Sequence, residues 1–231
     1  MPQSINKYKL YLYFFFLIFL SSIFNFQILD NYHDKFSLKN ININGLPYKE
    51  KKNIQNELNK LKNLNIFDLK KDKVLEKLTN FNFLENIYVN KAIPSSINIH
   101  FSKTPILGKT IIKGKKFYIG KNGNFINPNL VSQENNLPSV YGEFPIDEYL
   151  SLIKKLKKHD IDVGNIKGYY YYKNRRWDVL FFNNIKLKLP SKKYEESIKI
   201  YKKLLNNNDL INIKIIDLRV FNQIILMNNN D

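Results

Sequence analysis

The sequence predicts an α+β chain built from a single N-terminal transmembrane helix, a small strand-helix-helix-strand-strand layer, and a larger antiparallel β domain with flanking helices. Three observations predict it. A charge-free run from Leu10 to Leu29 follows a short basic start. Between Leu38 and Lys103, strand-type and helix-type spacings succeed one another in the order just given. Beyond Pro105, short apolar and aromatic pieces recur between turn residues, interrupted by two amphipathic helical stretches.

The start, residues 1–9, carries Lys7 and Lys9, and "LYLYFFFLIFLSSIFNFQIL" follows. About 20 apolar residues at about 1.5 Å each span a hydrocarbon core of about 30 Å. The run is therefore expected to cross a membrane as an uncleaved anchor, with Leu10, Phe15, Leu20 and Leu29 among its lipid-facing residues. Lysines before it and Asp30 and Asp34 after it put the N-terminus in the cytoplasm and the body outside. A cleaved signal peptide would need a shorter apolar region and a small-residue site, whereas Ile23, Phe24 and Phe26 carry the run past Ser21 and Ser22.

Leu38 to Asn44 alternates, with Leu38, Ile41 and Ile43 as its inward residues, and stops at Gly45 and Pro47. Ile54, Leu58 and Leu61 then fall at helical spacing, and Val74, Leu75 and Leu78 repeat it. "ENIYVNKAI" places Ile87 and Val89 on strand spacing, Pro94 makes a turn, and "SINIHFSK" directs Ile97, Ile99 and Phe101 inward. This layer is assigned residues 36–104.

The second domain is assigned residues 105–227, with 228–231 as a tail. Strand-like pieces around "TIIK", "KKFYIG" and "GNFI" precede a helix over Ile146 to Lys158 with Leu150, Ile153 and Leu156 on one side. "GYYYY", "RRWDVLFF" and "IKLKLP" read as an antiparallel meander, the last two joined by a tight turn at Asn183-Asn184. Ser191 is placed to cap a helix in which Tyr194, Ile198, Tyr201 and Leu205 recur. The last strand-rich segment, "INIKIIDLRVFNQIIL", holds Asp217 and Arg219 on one face of an extended chain, which implies a face partly open to solvent.

Composition narrows the function. The chain of 231 residues has no cysteine, so disulfides, thiolate metal sites and cysteine nucleophiles are excluded. A net charge of +17 is of the sign that suits nucleic acid or an anionic surface. Yet the only arginines are Arg175, Arg176 and Arg219, and the lysine, asparagine and isoleucine enrichment runs the whole length, as A/T-rich codons produce. Nucleic acid is not expected as a partner. His33, His100 and His159 lack metal-ligand spacing, "LGKTIIKGKK" lacks the first glycine of a phosphate-binding loop, and no G-x-S-x-G elbow occurs. No enzyme activity, metal or cofactor is expected. Tyr169 to Tyr172 point alternately to the two faces of a strand, open to packing on one and to a protein partner on the other.

Several pieces in order resemble the FtsQ/DivIB family of bacterial cell-division proteins. "IFDLKKDKVLEKLTNFNFLENIYVNKAIPSSINIHFSKTP" is similar to its polypeptide-transport-associated (POTRA) module. "GKNGNFI", "LPSVYG", "RRWDVLFFNNIKLKLP" and "IIDLRVFNQIIL" resemble successive elements of its β domain. The chain departs from the family at Ser102-Lys103, where an acid is usual, at Val220, where an aromatic is usual, and at Asn222-Gln223, where a glycine is usual.

The resemblance implies a non-enzymatic scaffold of the divisome, anchored in the inner membrane as a single-pass protein with a periplasmic body at the division septum. It implies binding of FtsB, itself paired with FtsL, by β-strand addition at the last strand, here Arg219, Val220, Phe221, Gln223, Ile224, Ile225, Leu226 and Met227. It also implies contacts of the POTRA module with other divisome proteins. Two other classes stay open on the sequence: a single-POTRA protein of envelope assembly or secretion, and a basic periplasmic protein binding anionic polymer or lipid.

Overall fold

The computed structural model describes residues 7–23, 34–206, 212–220 and 223–228. The first helix, α1, spans Lys7–Ile23, 17 residues, which at 1.5 Å each is about 25 Å. Lys7 and Lys9 occupy its first turn, so the apolar part is shorter still. No helix among the described residues is long and apolar enough to cross a membrane. The expected transmembrane helix over 10–29 is thereby corrected, and the single-pass topology drawn from it has no described helix to rest on. Leu10, Phe15 and Leu20 lie exposed on α1, while Leu29 and the rest of 24–33 lie outside the described residues.

The chain divides into two compact units. The first comprises Met1–Leu46, Lys51–Asn80 and Asn86–Phe101. Its strands β1 (Asn40–Asn44), β2 (Leu84–Ala92) and β3 (Ser96–Lys103) form a sheet in the order β1-β3-β2. β1 runs parallel to β3 with Ile41 opposite Ile97 and Ile43 opposite Ile99. All four side chains are buried with Leu38 and Phe101, because alternate residues of both strands face the helices. Helices α2 (Tyr48–Leu58) and α3 (Lys71–Leu78) supply Ile54, Leu58, Val74 and Leu78 to the same core.

The second unit comprises Pro47–Glu50, Phe81–Glu85 and Ser102–Asp231. Among the described residues it contains one nine-stranded sheet: β4 (Ile106–Ile112), β5 (Lys115–Gly120), β6 (Phe125–Ile126), β7 (Ser139–Tyr141), β8 (Ile166–Tyr172), β9 (Arg176–Phe181), β10 (Lys186–Lys188), β11 (Ile213–Asp217) and β12 (Ile225–Asn228). Their order is β12-β11-β10-β9-β8-β7-β4-β5-β6.

The sheet is mixed, which corrects the antiparallel expectation. β8, β9 and β10 form the expected meander, but β4 with β7, β7 with β8, and β10 with β11 are parallel. Parallel neighbours need a crossover. Helix α4 (Ile146–Lys158) provides it between β7 and β8, and α5 (Tyr194–Asn206) between β10 and β11.

Both helices pack on one face of the sheet. The core there joins Tyr149, Leu152, Ile153, Leu156, Ile198 and Tyr201 to Tyr169, Trp177, Val179, Leu187 and Ile216. Tyr149 stands 5.2 Å from Tyr169, ring centre to centre, and its hydroxyl donates to the Leu107 carbonyl at 2.9 Å. Helix α5 begins at Tyr194 after Lys193, whose φ is +53°. Ser191 is therefore too early to cap it.

Candidate partner-binding edge

β11 and β12 form an antiparallel hairpin at one end of the sheet, with Asp217 opposite Ile225, Ile216 opposite Leu226 and Ile215 opposite Met227. On its inner side β11 runs parallel to β10, and the Leu218 amide donates to the Lys188 carbonyl at 3.0 Å. In an extended strand, the N–H and C=O of one residue point to the same side and alternate from residue to residue. Leu218 and Ile216 therefore address β10, whereas Asp217 and Ile215 address β12. The pairs Asp217 with Ile225 and Ile215 with Met227 are the hydrogen-bonded ones. Leu226 is left with its N–H and C=O directed away from β11, where no described strand pairs with them.

The side chains of β12 are exposed along its whole length. Ile225 and Met227 share the face of Asp217, and Leu226 shares that of the core residue Ile216. Ile224, just before the strand, is exposed as well. An apolar strand with an open polar backbone on one side can accept a further strand.

Asp217 closes the end of β11. Its side chain is only 3% exposed. The Arg219 Nε donates to both carboxylate oxygens, at 2.7 and 2.8 Å, its Nη2 donates to Oδ2, and the Arg219 amide donates to Oδ1 at 3.1 Å. The Lys188 ammonium is 4.0 Å away. Burial works against the carboxylate charge, but the hydrogen bonds from Arg219 outweigh it and hold the group below the usual carboxylate range. The face is partly open at Arg219, as expected, but the aspartate itself is covered. Parity put both residues on the sheet face away from the helices, but neighbouring side chains cover the aspartate.

Those neighbours form a row across five strands and on to β12: Tyr141, Tyr170, Asp178, Lys188, Asp217 and Ile225, each opposite the next. Tyr141 and Tyr170 stack at 4.8 Å. Asp178 is also buried, accepts from the Tyr172 hydroxyl at 3.2 Å and lies 3.5 Å from the Arg176 Nε. Burial pushes its carboxyl up, only partly offset by Arg176. Lys188 and Asp178 were not singled out in the sequence. The alternation of "IKLKLP" is the signal for the lysine, since Leu187 and Leu189 are core and Lys186 and Lys188 face away.

Beside the hairpin, on the α5 side, lies a recess of about 480 Å³. Ile200, Leu218 and Val220 supply apolar wall, and Lys192, Lys193 and Arg219 supply cationic rim.

The eight residues expected at the edge are thus divided. Ile225, Leu226 and Met227 lie in β12. Gln223 and Ile224 lead into it, and the Gln223 amide donates to the Val220 carbonyl at 3.2 Å across the turn. Arg219 and Val220 belong to that turn rather than to a strand. Phe221 lies outside the described residues. Among the described residues, no group of three His, Asp or Glu side chains is placed to hold a metal ion.

Comparison with known proteins gives two matched segments. The family described as "Cell division protein FtsQ/DivIB, C-terminal" matches residues 111–219, and "POTRA domain, FtsQ-type" matches residues 36–102. The "Cell division protein FtsQ" of Rickettsia bellii (strain RML369-C) is 29% identical over 186 residues, 80% of this chain and 69% of that one. That of Rickettsia conorii (strain ATCC VR-613 / Malish 7) is 28% identical over the same shares. The major extracytoplasmic domain of DivIB from Geobacillus stearothermophilus aligns over 47% of this chain and 98% of that one, at 11% identity and a TM-score of 0.33. That likeness is too loose to bear on the assignment.

Proposed function

Because the chain belongs to the FtsQ/DivIB family of bacterial cell-division proteins, we propose that it is a non-catalytic scaffold of the division machinery at the septum. In this reading it takes up an extended segment of an FtsB homologue, itself paired with FtsL, as an added strand on the outer side of β12. The observation that carries the reading is the open backbone of Leu226 on a strand whose side chains are all exposed.

An added strand would form hydrogen bonds with Leu226 and continue the sheet outward. Its alternate side chains would meet Ile225 and Met227 on one face, and Leu226 and the recess beside α5 on the other. Asp217 and Arg219 then act by holding the turn that sets the start of β12, and they fix register rather than supply affinity. The POTRA segment, residues 36–102, is assigned contacts with other division proteins.

Co-purification of the full chain with the FtsB homologue of the same cell tests the reading. The wild-type chain is expected to associate. Leu226→Pro removes an outward N–H without touching the β11 bonds, and the loss of one hydrogen bond plus the ring in the partner's path should weaken association at least about tenfold. Ile224→Pro acts on the same outward row. Ile225→Pro instead removes a bond within the hairpin and serves as the folding control. If the wild-type chain does not associate, or Leu226→Pro leaves association unchanged, strand addition at β12 is wrong.

A further inference from the structure

The tip of the hairpin between β4 and β5 presents aliphatic and cationic side chains together at the end of a protruding turn. Lys113 and Gly114 form the turn, with φ of +48° and +77°, the positive values that a tight two-residue hairpin requires. A Cβ placed on Gly114 would meet nothing within 4 Å, so the space beside the turn is open. Ile112 is opposite Lys115, and Ile111 is opposite Lys116. Each face of the tip therefore pairs one isoleucine with one lysine about 5 Å away, Cβ to Cβ.

Both kinds of side chain are presented to solvent. Ile111 is 63% exposed and Ile112 36%, and Lys109, Lys113, Lys115 and Lys116 are all exposed. None of these lysines forms an ion pair among the described residues. From Thr104 to Gln133 the sequence contains no Asp or Glu, so the hairpin carries no acid of its own to offset its lysines. Drift in base composition accounts for scattered lysines on a solvated surface. It does not account for one isoleucine left largely in water and a second left partly so at the apex of a hairpin.

We propose that the β4–β5 hairpin tip docks peripherally on a bilayer containing anionic lipids, with Ile111 and Ile112 entering the interfacial layer and the lysines lying against headgroup phosphates. A soluble polyanion would satisfy the lysines but leave the isoleucines in water. An anionic bilayer surface satisfies both, since each lysine near it adds electrostatic attraction and the apolar side chains gain by leaving water. The proposal is independent of strand addition at β12.

The exposed apolar residues of α1 would cling to any vesicle, so sedimentation does not report on the hairpin. A local probe does, and the absence of cysteine in the chain makes Ile112→Cys a unique labelling site for a polarity-sensitive fluorophore. With vesicles of phosphatidylglycerol and phosphatidylcholine, the label is expected to shift to the blue and to be quenched by lipid-borne nitroxides. The same label on Phe182→Cys, exposed in the turn between β9 and β10 at the opposite end of the sheet, should stay in water. High salt should reverse the shift. Lys113→Glu, Lys115→Glu and Lys116→Glu combined should weaken it about a hundredfold in lipid concentration. Ile111→Cys with Ile112 intact repeats the measurement should the first variant fold poorly. An unshifted label, an equal shift with pure phosphatidylcholine, or polyphosphate binding that competes without the label ever being buried would each overturn the proposal.

Discussion

Removing the guanidinium of Arg219 should cost more than removing the charge of Asp217, and by an amount the geometry sets. In Arg219→Met the buried carboxylate loses three charged hydrogen bonds and keeps only the backbone amide at 3.1 Å and Lys188 at 4.0 Å. Stranding a buried charge costs about 3–5 kcal/mol, and the remaining lysine brings the expectation to about 2–3 kcal/mol. In Asp217→Asn the group left behind is Arg219, whose side chain is 38% exposed and can rehydrate, so about 1 kcal/mol is expected.

The double variant should cost little more than Asp217→Asn alone, because no charge is then left stranded. Urea unfolding read by Trp177, the sole tryptophan and part of this core, measures all three. The pH dependence has a defined sign. In the wild type the folded carboxyl is depressed, so its contribution is present above the unfolded value of about 3.9 and is lost as pH falls through the lower folded value. In Arg219→Met, burial without the guanidinium raises the folded carboxyl, and the penalty fades as the group protonates. The gap between the two proteins should therefore narrow on acidification. Equal costs for the two single variants, or a gap that does not change with pH, would refute the claim that Arg219 serves to neutralise a buried Asp217.

Three further outcomes follow from neighbouring geometry. Asp178→Asn should leave stability at pH 7 unchanged or raise it by up to about 1 kcal/mol; because burial raises the folded carboxyl, any gain should shrink as pH falls through that raised value, the reverse of Asp217. Tyr149→Phe removes the hydroxyl that donates to the Leu107 carbonyl at 2.9 Å and should cost about 1 kcal/mol in the same unfolding assay, with secondary structure unchanged by circular dichroism. Gly142→Ala, at φ +98° with a Cβ 2.3 Å from the Tyr171 carbonyl oxygen, should cost upward of about 3 kcal/mol and show as insoluble or strongly thermolabile protein.

How far these features could be read from the sequence depends on what periodicity encodes. It encodes which side of an element a residue occupies, and so Ile97, Ile99 and Phe101 are inward and the helix over Ile146–Lys158 is found with its bounds intact. It does not encode what lies on that side. Tyr149, fully buried, was passed over beside Leu150, because a tyrosine at a helix start reads equally well as surface until Tyr169 and Trp177 are seen to surround it. Asp217 had the right parity and the wrong solvation, since its cover comes from Lys188 on β10 and from Arg219 folding back. Strand direction is hidden for a related reason, because alternation looks the same in parallel and antiparallel pairs. The apolar run after Lys9 counts residues long enough for a crossing, but helix is described only to Ile23.

The two ends of the nine-stranded sheet differ in a way that bears on the proposed partner. An exposed strand edge invites indiscriminate pairing, and proteins commonly blunt it with brevity, lysine, proline or a bulge. At one end β6 is two residues long, Phe125–Ile126, so little edge is on offer. At the other end β12 lies within Val220 to Asn228, nine consecutive positions without a charge or a proline, in a chain that is 25% charged. Lysine was abundant enough to be placed there, since it stands at Lys113, Lys115 and Lys116 on the β4–β5 hairpin. Among the described residues, the irregularity in the β11–β12 ladder lies between Ile213 and Ile215, away from the Asp217 end. An edge this unprotected is a liability in isolation and an asset when a specific strand occupies it. The combination of bare backbone, apolar side chains and a β11 end fixed by Asp217 and Arg219 is what an edge kept for one partner requires.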